Sequence, residues 1–480
     1  MGRVLIALTM VAVIRLQTSL LAPAEIGRLN IVLTVIGWFS LVLLNPAIMY
    51  MNRKMIGWHR RGTAMLNLTV LWKYMAGIAL VSVVLLPFYK PFMHVDASLL
   101  WLILLIGGSV ALTNGNSSCT SSINLLGHRA WFVSVSVMTL WFGLGFSTLL
   151  IAMFGNFAEY WLFGQVLAQG IMLAAAIVII KRLTPAAALT SEAHDFSGTK
   201  ILPFAWPLAV GVFFYWVQTQ GYRFVFEYIH GLESLGYFVI GFGIGVNIMQ
   251  AFEALFNQFY QPIFYAEITD VDDHCKAEAW GKYAAVFIPM VVVTAAYVAS
   301  NSALVLKIVA APKFQHLGQV VMWGALAESI RMIISMTSLV SHARLKMSPL
   351  ILPGIIGSVF ALLGIVLTAH RDPMTSAGVS MVVAWGVSFL FLYARMKKLL
   401  PISLPFKRIY FALLLAFPFV LFRFAYTPFF PAPGLIQSVC LLCVGGAYLL
   451  FTYFLLVRPY FDLSIAGLTG RGAQVTARNS

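Results

Sequence analysis

The sequence predicts an all-α protein that crosses a membrane many times. Three observations carry that expectation. First, 61% of the 480 residues are hydrophobic and 10% are charged, with a mean hydropathy of +0.90. A soluble domain is about 45–50% apolar and 25% charged. Second, apolar runs of about 20 residues, the length a spanning helix needs, recur along the chain. Third, two stretches echo one another. RLQTSLLAPAEIG (Arg15 to Gly27) and RFVFEYIHGLESLGYFVIGFGIG (Arg223 to Gly245) each place an arginine in an apolar helix ten residues ahead of a glutamate, Glu25 or Glu233. Gly27 and Gly236 follow close behind.

The echo continues in order. Leu126-Gly127-His128-Arg129 corresponds to Ser341-His342-Ala343-Arg344, and the basic exit Lys181-Arg182 to Lys397-Lys398. The offsets drift slowly, as small loop insertions make them do. Two copies of a six-helix unit are expected, each a repeat of one supersecondary design.

Spanning helices are placed near 3–22, 29–51, 71–88, 98–120, 130–153, 160–180, 203–226, 235–260, 283–305, 317–340, 349–369, 376–396, 408–426 and 433–457. The expected organisation is a bundle over 1–184, a cytoplasmic link over 185–200 and a second bundle over 201–400. Two extra helices over 401–457 and a cytoplasmic tail over 458–480 complete it. An even number of helices per unit preserves orientation, so the bundles are expected to be related by a pseudo-two-fold axis along the membrane normal.

Lys and Arg concentrate in the loops of one side, among them Arg53, Lys54, Arg60, Arg61, Lys181, Arg182, Lys397, Lys398 and Arg458. The positive-inside rule makes that side and both termini cytoplasmic. It also accounts for most of the net charge of +15 without nucleic acid. Met1 to Ala22 has no strongly basic start and reads as the first helix, not a cleavable signal. Four cysteines are too few for a disulfide framework. Cys440 and Cys443 are spaced like a redox or metal pair, but they sit in an apolar helix without histidine and read as packing residues.

Nothing in the sequence is built for an enzyme. The outer loops are short, no phosphate-cradling Gly-x-x-x-x-Gly-Lys is present, and the nine histidines have no metal spacing. No cofactor and no metal are expected. What remains is polarity at membrane depth, where ionisable side chains are costly and mark function by default. Arg15 has no acid within a turn of sequence. Arg223 has Glu227 four residues on, and either a local salt bridge or a ligand contact fits. Glu328 and Arg331 are three apart and can pair. Glu253 has no basic neighbour in sequence; it is either a proton site or a partner for Arg15.

Amides add to this set: Asn45 and Asn52 in predicted helix 2, Gln218 in helix 7, and Asn247, Gln250 and Asn257 in helix 8. Asn247, Gln250, Glu253 and Asn257 share one helix face, and a polar face in a membrane helix must look onto helices or water. Arg15, Asn45, Asn52, Gln218, Arg223, Asn247, Gln250 and Arg331 are therefore candidates for a substrate cavity. Glu253 and Glu328 are candidates for ion coupling. The polar run Thr113 to Thr120 looks similar to that polar face, and reads either as such a face or as a frayed, interfacial helix end.

With these residues in place, the chain resembles the polysaccharide flippases (Wzx-like exporters of O-antigen and exopolysaccharide) of the multidrug/oligosaccharidyl-lipid/polysaccharide superfamily. Four stretches carry the likeness: Leu21-Ala22-Pro23-Ala24-Glu25-Ile26-Gly27, Asn124 to Arg129, Ser234-Leu235-Gly236-Tyr237, and Leu306 to Phe314. The chain departs from the family where Ala22 precedes Pro23, a position usually held by glycine, and where Ala311-Pro312-Lys313-Phe314 lacks a usual glycine. The resemblance implies a bacterial inner-membrane protein that flips a lipid-linked oligosaccharide by ion-coupled alternating access. Its implied partners are membrane lipid and the pathway's polymerase and glycosyltransferases. The chemistry agrees: a bare hydroxyl costs about 4–8 kcal/mol to move into hydrocarbon on a cyclohexane scale, so a sugar headgroup needs a wet path. Two other functions compete with this one. A drug or cation antiporter of the same superfamily prefers acids deep in helices 1 to 6, where none is seen. A membrane glycosyltransferase or polymerase needs a loop domain or clustered acids.

Overall fold

The computed structural model describes residues 2–94, 97–184, 198–268, 271–344, 346, 348–426 and 433–476. Among them every regular element is helical. Of the predicted link 185–200, residues 185–197 lie outside the described residues, as do 477–480 of the tail.

The first helix, α1, is Gly2–Leu20. A second, α2 (Pro23–Arg60), begins six residues earlier than expected because Pro23 sits at its first turn. Ala22 before it is extended (φ −66°, ψ 156°), the conformation a following proline imposes. Within α2 the turn Phe39–Leu44 widens to the π form. Pro46 follows at once; its ring clashes with the carbonyl four residues back, and the wide turn makes room. α3 is Ala64–Val84, earlier than the expected 71–88. Its first turns hold Asn67 and Thr69, which read as loop in the sequence. Their side chains bond back to Thr63 O (3.0 Å) and Met65 O (2.8 Å).

Further along are α4 (Leu99–Leu125), α5 (Arg129–Phe154) and α6 (Ala158–Leu183). α7 and α8 follow one another across a kink at Gly231, where φ is 80°. Only glycine adopts that value without strain. α7 thus covers 198–230 and α8 covers 232–267. They are followed by α9 (Asp273–Ser300), α10 (Gly318–Ala343), α11 (Ser348–Leu367), α12 (Pro373–Leu399), α13 (Phe406–Tyr426) and α14, whose apolar span is Leu435–Arg458.

Twelve helices among the described residues are long and apolar enough to cross a membrane. One of the twelve contains the break at Gly231. Counted as two arms, with α1 ahead of them, the set reaches the expected fourteen.

Contacts divide the chain into two units: Met1–Ile240 with Val309–Ala311 and Leu350–Ser380, and Gly241–Ile308 with Pro312–Pro349 and Met381–Ser480. In the first unit α5 and α6 form the most extensive pair, α4 packs on both, and α7 packs on α2 and α11. Glu25 fixes a corner here. It accepts the amide of Ala158 at the start of α6 (2.8 Å) and holds Arg28 at 3.1 Å. A carboxylate at a helix N-terminus meets the positive end of the dipole.

In the second unit α9 is the centre, packed by α10, α13 and α14 and carrying the fully buried Trp280, Ala284, Val291 and Val293. α13 and α14 show most of their apolar surface. Burying such residues against protein in place of lipid gains little from the hydrophobic effect, so close packing must hold the helices. α8 and α10 meet at Gly245 and Gly324. A Cβ on Gly245 would stand 2.3 Å from Val321 O, and one on Gly324 2.2 Å from Phe242 O.

Candidate functional site

The second unit contains a buried charge cluster. Arg331 on α10 donates Nε to Glu328 Oε1 at 2.7 Å, the pairing their spacing predicts, and Nη2 to Glu253 Oε2 on α8. The three side chains are 13%, 5% and 12% exposed. Gln250 lies beside Glu328. Two carboxylates therefore meet one guanidinium, and the three groups together lack one positive charge. Asn257, one turn beyond Glu253, accepts the Tyr283 hydroxyl at 2.8 Å. On this face of α8, Glu253 and Asn257 are committed to α10 and α9, while Asn247 and Gln250 are exposed. Glu253, which the sequence left as a proton site or a partner for Arg15, is paired here with Arg331 of the neighbouring helix.

In the first unit Arg15 on α1 is half-buried and donates Nη1 to the carbonyl of Ala310. One turn on, Thr18 Oγ1 accepts the amide of Ala311 at 3.0 Å. This carbonyl and amide lie just past Val309, at the end of the short helix after α9. Arg15 and Thr18 satisfy them where helical bonding stops.

α7 carries the next group. Its turn Val217–Gly221 is also π-form, a local widening common at functional sites. Gln218 is 1% exposed, lies against Gly357 of α11, and its Nε2 has no acceptor among the described residues. Arg223 reaches Thr34 Oγ1 at 3.4 Å, and its buried Nε has no acceptor there either. The local salt bridge to Glu227 is not formed. Glu227 instead takes His94 Nδ1 at 3.0 Å, from the connection between α3 and α4. Sequence spacing missed this pair because His94 is remote in the chain.

Asn45 is half-buried beside Met49. Asn52 accepts Ser121 Oγ at 2.8 Å. That contact leads to a feature the sequence reading underrated. Thr113 to Thr120 is not a frayed end: Asn114–Leu125 is regular helix with Asn116, Ser118 and Thr120 buried. Hydroxyls and carboxamides of α4, α5 and α6 line an open recess of about 350 Å³ there. The recurrence of Thr113, Ser117, Thr120 and Asn124 on one face was the available signal.

The fold is that of known membrane transporters. A solved structure of the lipid II flippase MurJ, in an inward closed conformation, matches with a TM-score of 0.70 over 96% of this chain and 98% of its own, at 12% identity. An inward-facing multidrug resistance transporter of the MATE family, in the MOP superfamily, matches with a TM-score of 0.61 over 83% of this chain and 95% of its own, at 13% identity. No protein-family model and no curated protein matches the sequence.

Proposed function

We propose that the chain is a flippase that carries a lipid-linked oligosaccharide across the cytoplasmic membrane by alternating access, driven by an ion gradient. One observation carries the reading: the fold likeness to a lipid II flippase runs nearly end to end in both chains. The polar groups at membrane depth support it. A sugar headgroup needs a hydrated path, while its lipid tail stays in the bilayer.

In this reading Arg15 and Arg223 hold the anionic part of the headgroup. A guanidinium suits diphosphate or carboxylate because its fork binds two oxygens at once. Asn45, Asn52, Gln218, Asn247 and Gln250 hydrogen-bond sugar along the path, and Arg331 sets the charge of its neighbours. Glu253 and Glu328 take the coupling proton or small cation, since the cluster lacks one positive charge. The protein sits in the bacterial inner membrane with both termini cytoplasmic, alongside the polymerase and glycosyltransferases of its pathway.

The alternative is a drug or cation antiporter, favoured by the likeness to a multidrug transporter and by the two acids of the second unit. Deletion of the gene separates them. A flippase mutant accumulates lipid-linked oligosaccharide in the inner leaflet and loses surface glycan, both restored by the gene in trans. An antiporter mutant keeps its glycan and becomes sensitive to cationic drugs.

A further inference from the structure

The cavity of α4, α5 and α6 has no part in the roles above, and its chemistry is unusual for a membrane bundle. Nine of its ten lining side chains are hydroxyls or carboxamides, and the tenth is Phe132. No charged side chain lines it.

Its construction follows from sequence spacing. Thr113, Ser117, Thr120 and Asn124 step by four, three and four along α4, which puts them on one face. Opposite stand Phe132, Ser136 and Thr139 of α5, again one face, and Gln169 of α6. Part of the lining is locked. Asn116 Nδ2 donates to Gln169 Oε1 at 2.8 Å and to Thr139 Oγ1 at 3.2 Å. Thr139 in turn donates to Val135 O at 2.7 Å. The rest is not. The side chains of Thr113, Ser117 and Asn124 make no hydrogen bond among the described residues. They present donors and acceptors to the space in front of them.

Two physical limits narrow what fits. A carboxylate brought here finds no cationic side chain in the lining to receive it. An apolar group covers the exposed Thr113, Ser117 and Asn124 and displaces their water without replacing its hydrogen bonds. A neutral polyhydroxy ring meets both limits. Its hydroxyls both donate and accept, as serine, threonine and carboxamide groups do, and its C–H face suits the negative face of an aromatic ring such as Phe132. At about 350 Å³ the space is at the lower end of the roughly 300–1,000 Å³ range of small-molecule sites. That accommodates a sugar unit, not a whole lipid-linked oligosaccharide.

We infer that this cavity is a subsite for an uncharged sugar unit, selecting against uronates. It rests on the proposed function for the lipid-linked chain to which that sugar belongs. The anionic linkage and the neutral sugar are then read by different residues of the protein.

Cysteine protection tests this on the purified full chain in lipid nanodiscs. Ser117→Cys is introduced with Cys275, Cys440 and Cys443, all exposed, changed to serine. Thr113→Cys in the same background is a second reporter in case the first folds poorly. Labelling by N-ethylmaleimide is timed with methyl β-D-glucopyranoside, with methyl β-D-glucuronide, and without sugar. The neutral glycoside is expected to slow labelling several-fold and the glucuronide to leave it unchanged. Phe132→Leu should remove most of the protection. Cys275 as sole exposed thiol reports non-specific effects and should react equally in all three. Equal slowing by both glycosides, or by neither, overturns the inference. The transport reading is measured separately, by flipping in vesicles. Protection without flipping leaves the subsite standing and removes the transporter, and flipping without protection does the reverse.

Discussion

Gly27 and Gly236 meet face to face. A Cβ on Gly236 would lie 3.1 Å from Gly27 N and 1.8 Å from Pro23 O, and one on Gly27 would lie 2.0 Å from Leu232 O. These are the glycines that the two halves of the sequence place after Glu25 and Glu233. The starts of α2 and α8 cross there backbone to backbone.

Gly236→Ala should therefore be damaging. The obstructing atoms are backbone and cannot rotate away. Overpacking costs typically about 1–3 kcal/mol, so the thermal midpoint in detergent should fall by several degrees and the protein yield with it. Gly243→Ala, on the same helix with nothing within 4 Å of the new Cβ, should behave as wild type. An unchanged midpoint for Gly236→Ala would remove the crossing.

The charge cluster makes an asymmetric prediction. Arg331→Ala leaves Glu253 and Glu328 facing each other at low exposure. Breaking a buried pair by removing one partner costs about 3–5 kcal/mol, so this variant should be poorly folded. Glu253→Gln leaves Arg331 balanced by Glu328 and should fold normally. Its transport should lose its response to the ion gradient. Thermal melts and transport with and without an imposed gradient check both.

Arg15 gives a third. Arg15→Ala should abolish transport at normal protein level. Arg15→Lys should be partly active, because the ammonium keeps the charge and loses the two-point geometry. The double change Arg15→Ala with Glu253→Ala should not restore activity, since Glu253 is held by Arg331. Full activity of Arg15→Ala would remove its role.

At the start of α9, Asp272 Oδ1 accepts the amide of Cys275 at 2.9 Å. That bond holds its carboxyl below the ordinary value of 3.8. A depressed carboxylate stabilises the fold above its unfolded pKa and loses that contribution as pH falls through the folded one. Asp272→Ala should speed amide exchange at Cys275 and Lys276 near neutral pH. The difference from wild type, compared at matched pH, should shrink below pH 3.8.

The membrane helices were legible because a spanning helix must be continuously apolar. The two echoing turns were legible because backbone contact tolerates only glycine there. Glu328 with Arg331 followed from spacing alone. Long-range partners did not. Glu227 with His94 and Glu253 with Arg331 join distant segments, and no local pattern encodes them. The cavity of α4 was hidden for another reason. A run of Asn, Ser and Thr resembles a helix end by composition, and only α5 and α6 turn it into the lining of a recess.

The most direct test is flipping itself. Purified protein is reconstituted into vesicles containing a fluorescent lipid-linked oligosaccharide, and the fraction open to a membrane-impermeant reagent is followed in time. Exposure of the inner-leaflet pool at a rate that rises with an imposed ion gradient, lost in Arg15→Ala, is the predicted result. An inner pool that stays protected at every gradient, in vesicles whose protein is folded, would contradict the account.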